Sequence, residues 1–239
     1  MASNVRQAEP RRLYHQVADQ IRNVIDQGSF RPGTRLPPER ELAQQLGVSR
    51  PSLREALLAL EIEGRVEVRM GSGVYVCAVP HSGGTSEPLA LGDSPSELMQ
   101  ARSVLEGAII NLALARATKP GLEKLKTCLD IMRQDVRRGH SPADADRGFH
   151  VAIAEMTGNT VLARMVGELF DGRHGFISSR MTDRTESART WAAALREHEA
   201  IYQALEARDP QEAVAAMFWH LTASRERWID ADPGSLESR

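Results

Sequence analysis

The chain has 239 residues, a net charge of −2, 41% apolar and 26% charged residues, the composition of one large or two unequal globular domains. No apolar run approaches the roughly 20 residues needed to cross a bilayer, and the N-terminal MASNVRQAEPRRLYHQ lacks the apolar core of a secretory signal, so no membrane partner is expected and cytosol is the expected compartment. The near-neutral balance excludes a general nucleic-acid coat, and Cys77 and Cys128 form no ligand-like pair and read as reduced packing residues.

Charge is unevenly placed. Residues 1–78 carry 11 arginines, no lysine and 9 acidic residues. The guanidinium fork suits bidentate contacts to phosphate and guanine, so this part leans toward DNA. Residues 11–27 place Leu13, Val17, Ile21, Val24 and Ile25 at helical spacing, and Gly28 ends that helix. The turn-rich RPGTRLPP leads into ERELAQQLG, a short helix stopped by Gly47. Ser49 is placed to cap the next helix, with Pro51 in its first turn, where a missing N–H costs little. There Leu53, Ala56, Leu57 and Leu60 follow the i, i+3, i+4, i+7 rule up to Gly64. VEVRMGSGVYV then alternates with period 2 around Gly71 and Gly73, which predicts a hairpin. Helix, helix, short turn, helix and hairpin make a winged helix-turn-helix over residues 1–78.

Residues 79–95, rich in Gly, Pro and Ser, read as a linker. Beyond them no strand pattern occurs. Helices are expected near 95–117, 120–138, 142–157, 160–182, 186–207 and 210–230, an all-α bundle of six or seven helices occupying 96–230. The fold class is mainly α.

Two groups of residues stand out. In the first domain Arg50 and Arg54 share a face with Ser49 and Ser52 beside them, away from the leucine stripe. Arg40 begins the preceding helix, and Arg69, Gly71 and Ser72 form the hairpin tip. These are the candidate DNA-reading residues; the alternative is a solvated basic face. In the second domain Asp146 and His150 fall on an apolar stripe with Phe149 and Ile153, His198 on one with Ile201 and Leu205, and His220 on one with Ala213 and Met217. An unpartnered buried carboxylate or imidazole is costly. One carboxylate and three imidazoles from three helices are a plausible shell for a divalent metal such as Zn, Ni or Mn, although each histidine taken alone reads as a hydrogen-bonded core residue. Arg102 shares a stripe with Leu98, Leu105 and Ile109, facing either an anion or Glu106 in an i, i+4 ion pair. Asn159, Arg173 and His174 are weaker pocket candidates.

The first stretch, PGTRLPPERELAQQLGVSRPSLREAL followed by LEIEGRVEVRMGSGVYV, resembles the GntR family of bacterial transcription regulators. The resemblance implies that Arg40, Arg50, Ser52, Arg54 and Gly71 contact operator DNA; the family often has Thr where Pro51 stands. DADRGFH, REHEAIYQAL and EAVAAMFWHL resemble the effector domain of the FadR-type branch. That implies a metal held by Asp146, His150, His198 and His220 at the floor of a pocket, with Arg102 engaging an effector carboxylate. The expected protein is a homodimeric regulator, a repressor released from palindromic operator DNA by a small carboxylic acid; LEIEGRVEVRMGSGVYV and the DGRHGF region resemble regulators of hexuronate or aldarate use, with lactate-type and other small carboxylates left open. The alternatives are a metal-responsive regulator without an organic effector and a metal-dependent hydrolase. No HExxH motif and no nucleophile with a paired base supports the latter.

Overall fold

A computed structural model describes residues 13–69, 71–78 and 92–230. The readings made for residues 1–12 and for 79–91, most of the expected linker, lie outside the described residues.

The N-terminal elements are α1 (Leu13–Asp26), α2 (Glu39–Leu46), α3 (Arg50–Ile62), β1 (Val66–Arg69) and β2 (Gly73–Val76). Tyr14, Val17 and Ile21 of α1 pack with Leu53, Leu57 and Leu60 of α3, all essentially without exposed surface. The strands pair antiparallel from Val66 opposite Val76 to Arg69 opposite Gly73. Residues 33–36 lie along the outer edge of β2, with Leu36 N–H donating to Val74 O at 2.8 Å and Val76 N–H to Thr34 O at 2.9 Å. Gly73 has φ of +114°, so this position needs glycine for conformation, and a Cβ there would displace the Arg35 guanidinium, 2.5 Å away.

α3 is buried on more than the expected stripe. Leu58 and Ala59 are covered as well, because Leu57 and Leu58 also face Met181 and Ile229 of the helical part. Its N-terminus, with Ser49 and Arg50, stays exposed.

The helical part comprises α4 (Pro95–Ala115), α5 (Lys119–Arg138), α6 (Ala143–Met156), α7 (Thr160–Asp171), a 3₁₀ turn Gly172–His174, α8 (Phe176–Thr185), α9 (Ala188–Ala207), α10 (Pro210–Arg225) and a π turn Glu226–Asp230. α10 packs between α4 and α9, α5 against α6 and α9, and α6 against α4 and α7. Helix starts follow side-chain chemistry: Ser94, Thr118, Ser187 and Asp209 accept hydrogen bonds from the first-turn N–H groups of α4, α5, α9 and α10. Each such cap contributes about 0.5–2 kcal/mol.

The single helix expected over 160–182 is broken. A Cβ at Gly172 would lie 2.8 Å from Leu98, and one at Gly175 would lie 3.1 Å from the Gly92 Cα. The chain needs two side-chain-free positions to pass this crowded point, and it uses them to turn Arg173 inward between α7 and α8. The start of α4 is correspondingly fixed: Tyr14 Oη donates to Gly92 O at 3.1 Å, and the buried Glu55 carboxylate of α3 accepts from Ser94 Oγ at 2.8 Å, Ser96 N at 3.0 Å and Ser96 Oγ at 2.6 Å. A carboxylate at a helix N-terminus is favourably placed. Among the described residues, no helix is long and apolar enough to cross a membrane.

Candidate metal centre and nucleic-acid interface

α6, α9 and α10 bring Asp146, His150, His198 and His220 together, with one ligand atom of each within 4.8 Å of all the others. The three imidazoles are buried; Asp146 keeps 20% of its side-chain surface, facing a cavity. His198 Nε2 lies 2.9 Å and His150 Nε2 3.5 Å from Asp146 Oδ1, and the two Nε2 atoms are 3.0 Å apart.

Every Nδ1 is committed elsewhere. His150 Nδ1 meets Glu106 Oε2, His198 Nδ1 meets Ala194 O at 2.6 Å, and His220 Nδ1 meets Glu197 Oε2 at 3.0 Å. Each of these partners is an acceptor, so each Nδ1 carries the proton, and in the neutral ring Nε2 presents a lone pair. The centre is therefore ringed by acceptors. His220 Nε2 and Asp146 Oδ1 are buried without a hydrogen-bond donor. Such a set is unfavourable alone and suits a divalent cation, and the N₃O donor chemistry suits Zn among others.

Surrounding charges support this arrangement. Burial would raise the Glu106 carboxyl, but Arg102 and His150 outweigh it and hold it at about 2. Asp146 is held well below the usual carboxylate range, its burial outweighed by the adjacent His150 and His198. Burial, then the neighbouring His198 and His150, push His220 well down.

Arg102 stands behind this centre rather than in the cavity wall. Its Nε donates to Glu106 Oε1 at 2.7 Å and its guanidinium stacks 3.9 Å from the Phe170 centroid, so it supports His150 through Glu106. Of the two partners its spacing offered, Glu106 takes Nε, while Nη2 is buried without a hydrogen-bond partner. Asn159 is likewise not brought to the cavity. It is exposed, and its Oδ1 accepts from Val161 and Leu162 N–H as the cap of α7. His174 remains exposed, against Asp171 O. Arg173 does reach the cavity, with Nη1 3.3 Å from Asp146 Oδ2 and its guanidinium 4.8 Å from the Trp228 ring. Glu106 was legible only as the i, i+4 partner of Arg102, and Glu197, Glu186 and Trp228 were not singled out in the sequence, since a support position leaves no periodic signature of its own.

At the other end, a groove runs between the start of α3 and the hairpin. Its walls hold Arg35, Arg40, Arg50, Arg69 and Arg184 against one acid, Glu39. Arg40 and Arg50 are exposed. Ser49 Oγ caps α3 by accepting from Ser52 N–H at 3.2 Å and lies 2.8 Å from Ser52 Oγ. Arg69 pairs with Glu67 at 2.8 Å and covers the Tyr75 ring, and Ser72 Oγ lies 2.8 Å from Tyr75 Oη. Gly71 leaves the tip open. Arg54 differs from its neighbours: only 12% of its side chain is exposed, its Nε pairs with Glu39 at 2.7 Å, and its Nη1 donates to Ile229 O at 3.1 Å. Arg184, from α8, ties the helical part to Glu61.

Residues 13–76 match the model for bacterial regulatory proteins of the gntR family, and residues 97–223 match that for the FCD domain. The chain is 35% identical over 230 residues to the Uxu operon transcriptional regulator of Escherichia coli K12, covering 92% of this chain and 88% of that protein. It is 35% identical to the Exu regulon transcriptional regulator of the same strain, covering 89% and 83%. It is 30% identical to the HTH-type transcriptional regulator LutR of Bacillus subtilis, covering 83% and 93%. The solved structure named Streptococcus agalactiae GntR matches with a TM-score of 0.48 and 27% identity, covering 89% of this chain and 99% of that one. The chain belongs to the gntR family of bacterial regulatory proteins, as a DNA-binding transcription regulator with an FCD effector domain and not an enzyme.

Proposed function

We propose that the protein is a cytoplasmic, homodimeric repressor that leaves a palindromic operator when a sugar acid such as a hexuronate enters the cavity beside Asp146. The observation that carries this reading is the ring of acceptors at the floor of that cavity. The sequence resemblance to regulators of hexuronate or aldarate use and the Uxu and Exu names of the relatives support a sugar acid. A reading as a sensor of the ion alone leaves the adjoining cavity and Arg173 without a use.

Asp146, His150, His198 and His220 would hold the metal, Zn first and Ni or Mn as alternatives. When bound, it supplies a fixed positive charge for an incoming carboxylate. Arg173 stands at the rim, ready to pair with the same group. Residues 1–78 form the reading head, 79–95 the connection and 96–230 the effector and dimer unit. In the head, Arg40, Ser49, Arg50, Ser52, Arg69, Gly71 and Ser72 meet the duplex, and Arg54 joins them once released.

That release is the coupling step. Trp228 lines both the cavity and the gap between head and helical part, is held by Thr182 Oγ1 at 3.1 Å, and precedes the Ile229 carbonyl that holds Arg54. A ligand that fixes Arg173 and Trp228 strengthens the hold on Arg54, and so biases the head away from its DNA-reading arrangement.

The dimer face is the outer side of α4 and α10. On α4, Ser103, Val104, Ala108 and Leu112 are exposed with no exposed charge between Glu97 and Arg116. On α10, which packs against α4, Phe218 is 60% exposed and Trp219 66% exposed. Aromatic, charge-poor patches of this kind mark interfaces.

The test is fluorescence anisotropy of a labelled palindromic operator, titrated with galacturonate, glucuronate, galactarate and L-lactate. Release by a sugar acid supports the reading. An operator complex indifferent to all four overturns it.

A further inference from the structure

Glu186 follows α8 and lines the same cavity as Asp146, Arg173, Ser141, Thr190 and Trp191. Its Oε2 accepts from Ser141 Oγ at 2.9 Å and from Trp191 Nε1 at 3.1 Å. Its Oε1 has Arg173 Nη2 only at 3.9 Å, while the nearer partner of that guanidinium is Asp146 Oδ2 at 3.3 Å. Arg173 thus stands between two carboxylates and neutralises the one at the metal floor more closely. Glu186 is locked in place by two donors, with one oxygen still able to accept.

A carboxylate accepts hydrogen bonds and donates none. Hydroxyl groups of a ligand satisfy it; a second carboxylate brought to it meets like charge in a partly desolvated site. The hydroxyls of Ser141 and Thr190 and the indole of Trp191 on the same wall suit a hydroxylated carbon skeleton, with polar edges and an apolar C–H face. The ligand's own carboxylate belongs at the opposite end, near Asp146 and Arg173.

We propose that Glu186 is a specificity-determining residue that selects a polyhydroxylated monocarboxylate, a uronic acid, over the dicarboxylate of the same skeleton. The proposal rests on the reading of this cavity as a sugar-acid site. Neutral Glu186→Gln keeps the shape and removes the charge, while Glu186→Asp keeps the charge.

Calorimetric titration of the full-length, metal-loaded protein with galacturonate and galactarate tests it, with metal content and melting temperature measured for each variant. Wild type prefers galacturonate. Glu186→Gln shifts the galacturonate-to-galactarate affinity ratio toward galactarate by about tenfold or more, the scale of one buried like-charge contact. Glu186→Asp keeps the wild-type preference even at lower affinity. An unchanged ratio in Glu186→Gln, or equal behaviour of Gln and Asp variants, overturns the role of Glu186 while leaving the sugar-acid reading intact. Wild-type protein that binds neither acid overturns the reading itself.

Discussion

The Nε2 atoms of His150 and His198 lie 3.0 Å apart while each ring's Nδ1 is turned onto an acceptor, Glu106 for one and the Ala194 carbonyl for the other. With both rings neutral, two lone pairs at that distance repel. The packing of α6 against α4 and of α9 against α10 imposes the approach, and a shared cation would relieve it.

Removing that cation should cost stability. At free metal about 1,000 times Kd, a bound ion contributes about 4 kcal/mol, and a chain of this size loses roughly 2–4 °C of Tm per kcal/mol. Differential scanning calorimetry before and after chelation should show a Tm drop of this order, reversed by added Zn.

Arg50→Ala should weaken operator binding by about 1–3 kcal/mol, the scale of one bidentate base or phosphate contact, with effector affinity unchanged. Arg50 is exposed at the start of α3 and does not line the effector cavity. Anisotropy and calorimetry on the same preparation check both halves; equal losses in both would argue against separate sites.

Trp228→Phe should uncouple the two sites. The ring keeps its packing place but loses the hydrogen bond to Thr182. Metal content and acid affinity should stay near wild type while the acid-induced fall in operator affinity, about 5- to 150-fold in typical coupled systems, shrinks. Full retention of that fall would place the coupling elsewhere.

Trp219→Asp with Phe218→Ser should convert the dimer to monomer in sedimentation velocity and abolish tight binding to a two-half-site operator, since palindromic recognition needs paired heads. Neither side chain contributes to the buried core, so the melting curve of the monomer should remain cooperative.

Glu55 predicts a pH effect. Burial raises its carboxyl above the ordinary value, opposed by Ser96 and Ser94 donors and helped by the nearby Glu97 charge. A raised folded-state value means the folded chain binds more protons than the unfolded one between the two values, so stability falls as pH rises through that window. Glu55→Gln should remove this part of the slope in Tm against pH. A slope identical to wild type would mean that other groups set it.

Much of the fold was legible because its signals are local. Gly47, Ser49-Pro51, Pro210 and the Gly71/Gly73 pair mark ends and turns by backbone chemistry, and the structure places its boundaries within a residue or two of them. The Asp146, His150, His198 and His220 cluster was legible because polar residues on apolar stripes must meet something. What periodicity did not yield depends on partners far away in sequence. Asn159 was read as a pocket residue, but a cap and a pocket wall share the same residue type. The break at Gly172 and Gly175 reflects the approach of Leu98 and Gly92. The burial of Arg54 depends on a carbonyl at Ile229, and Arg102 turned to the alternative partner its spacing offered.

The most direct test of the central claim is metal analysis of the purified chain after extensive dialysis without chelator, alongside the His198→Ala variant. The account predicts about one tightly held divalent ion per chain in wild type and almost none in the variant, with the variant's operator complex no longer released by a sugar acid. A wild-type chain that is metal-free, melts at the same temperature with or without added divalent ions, and still releases its operator on binding the acid would contradict it.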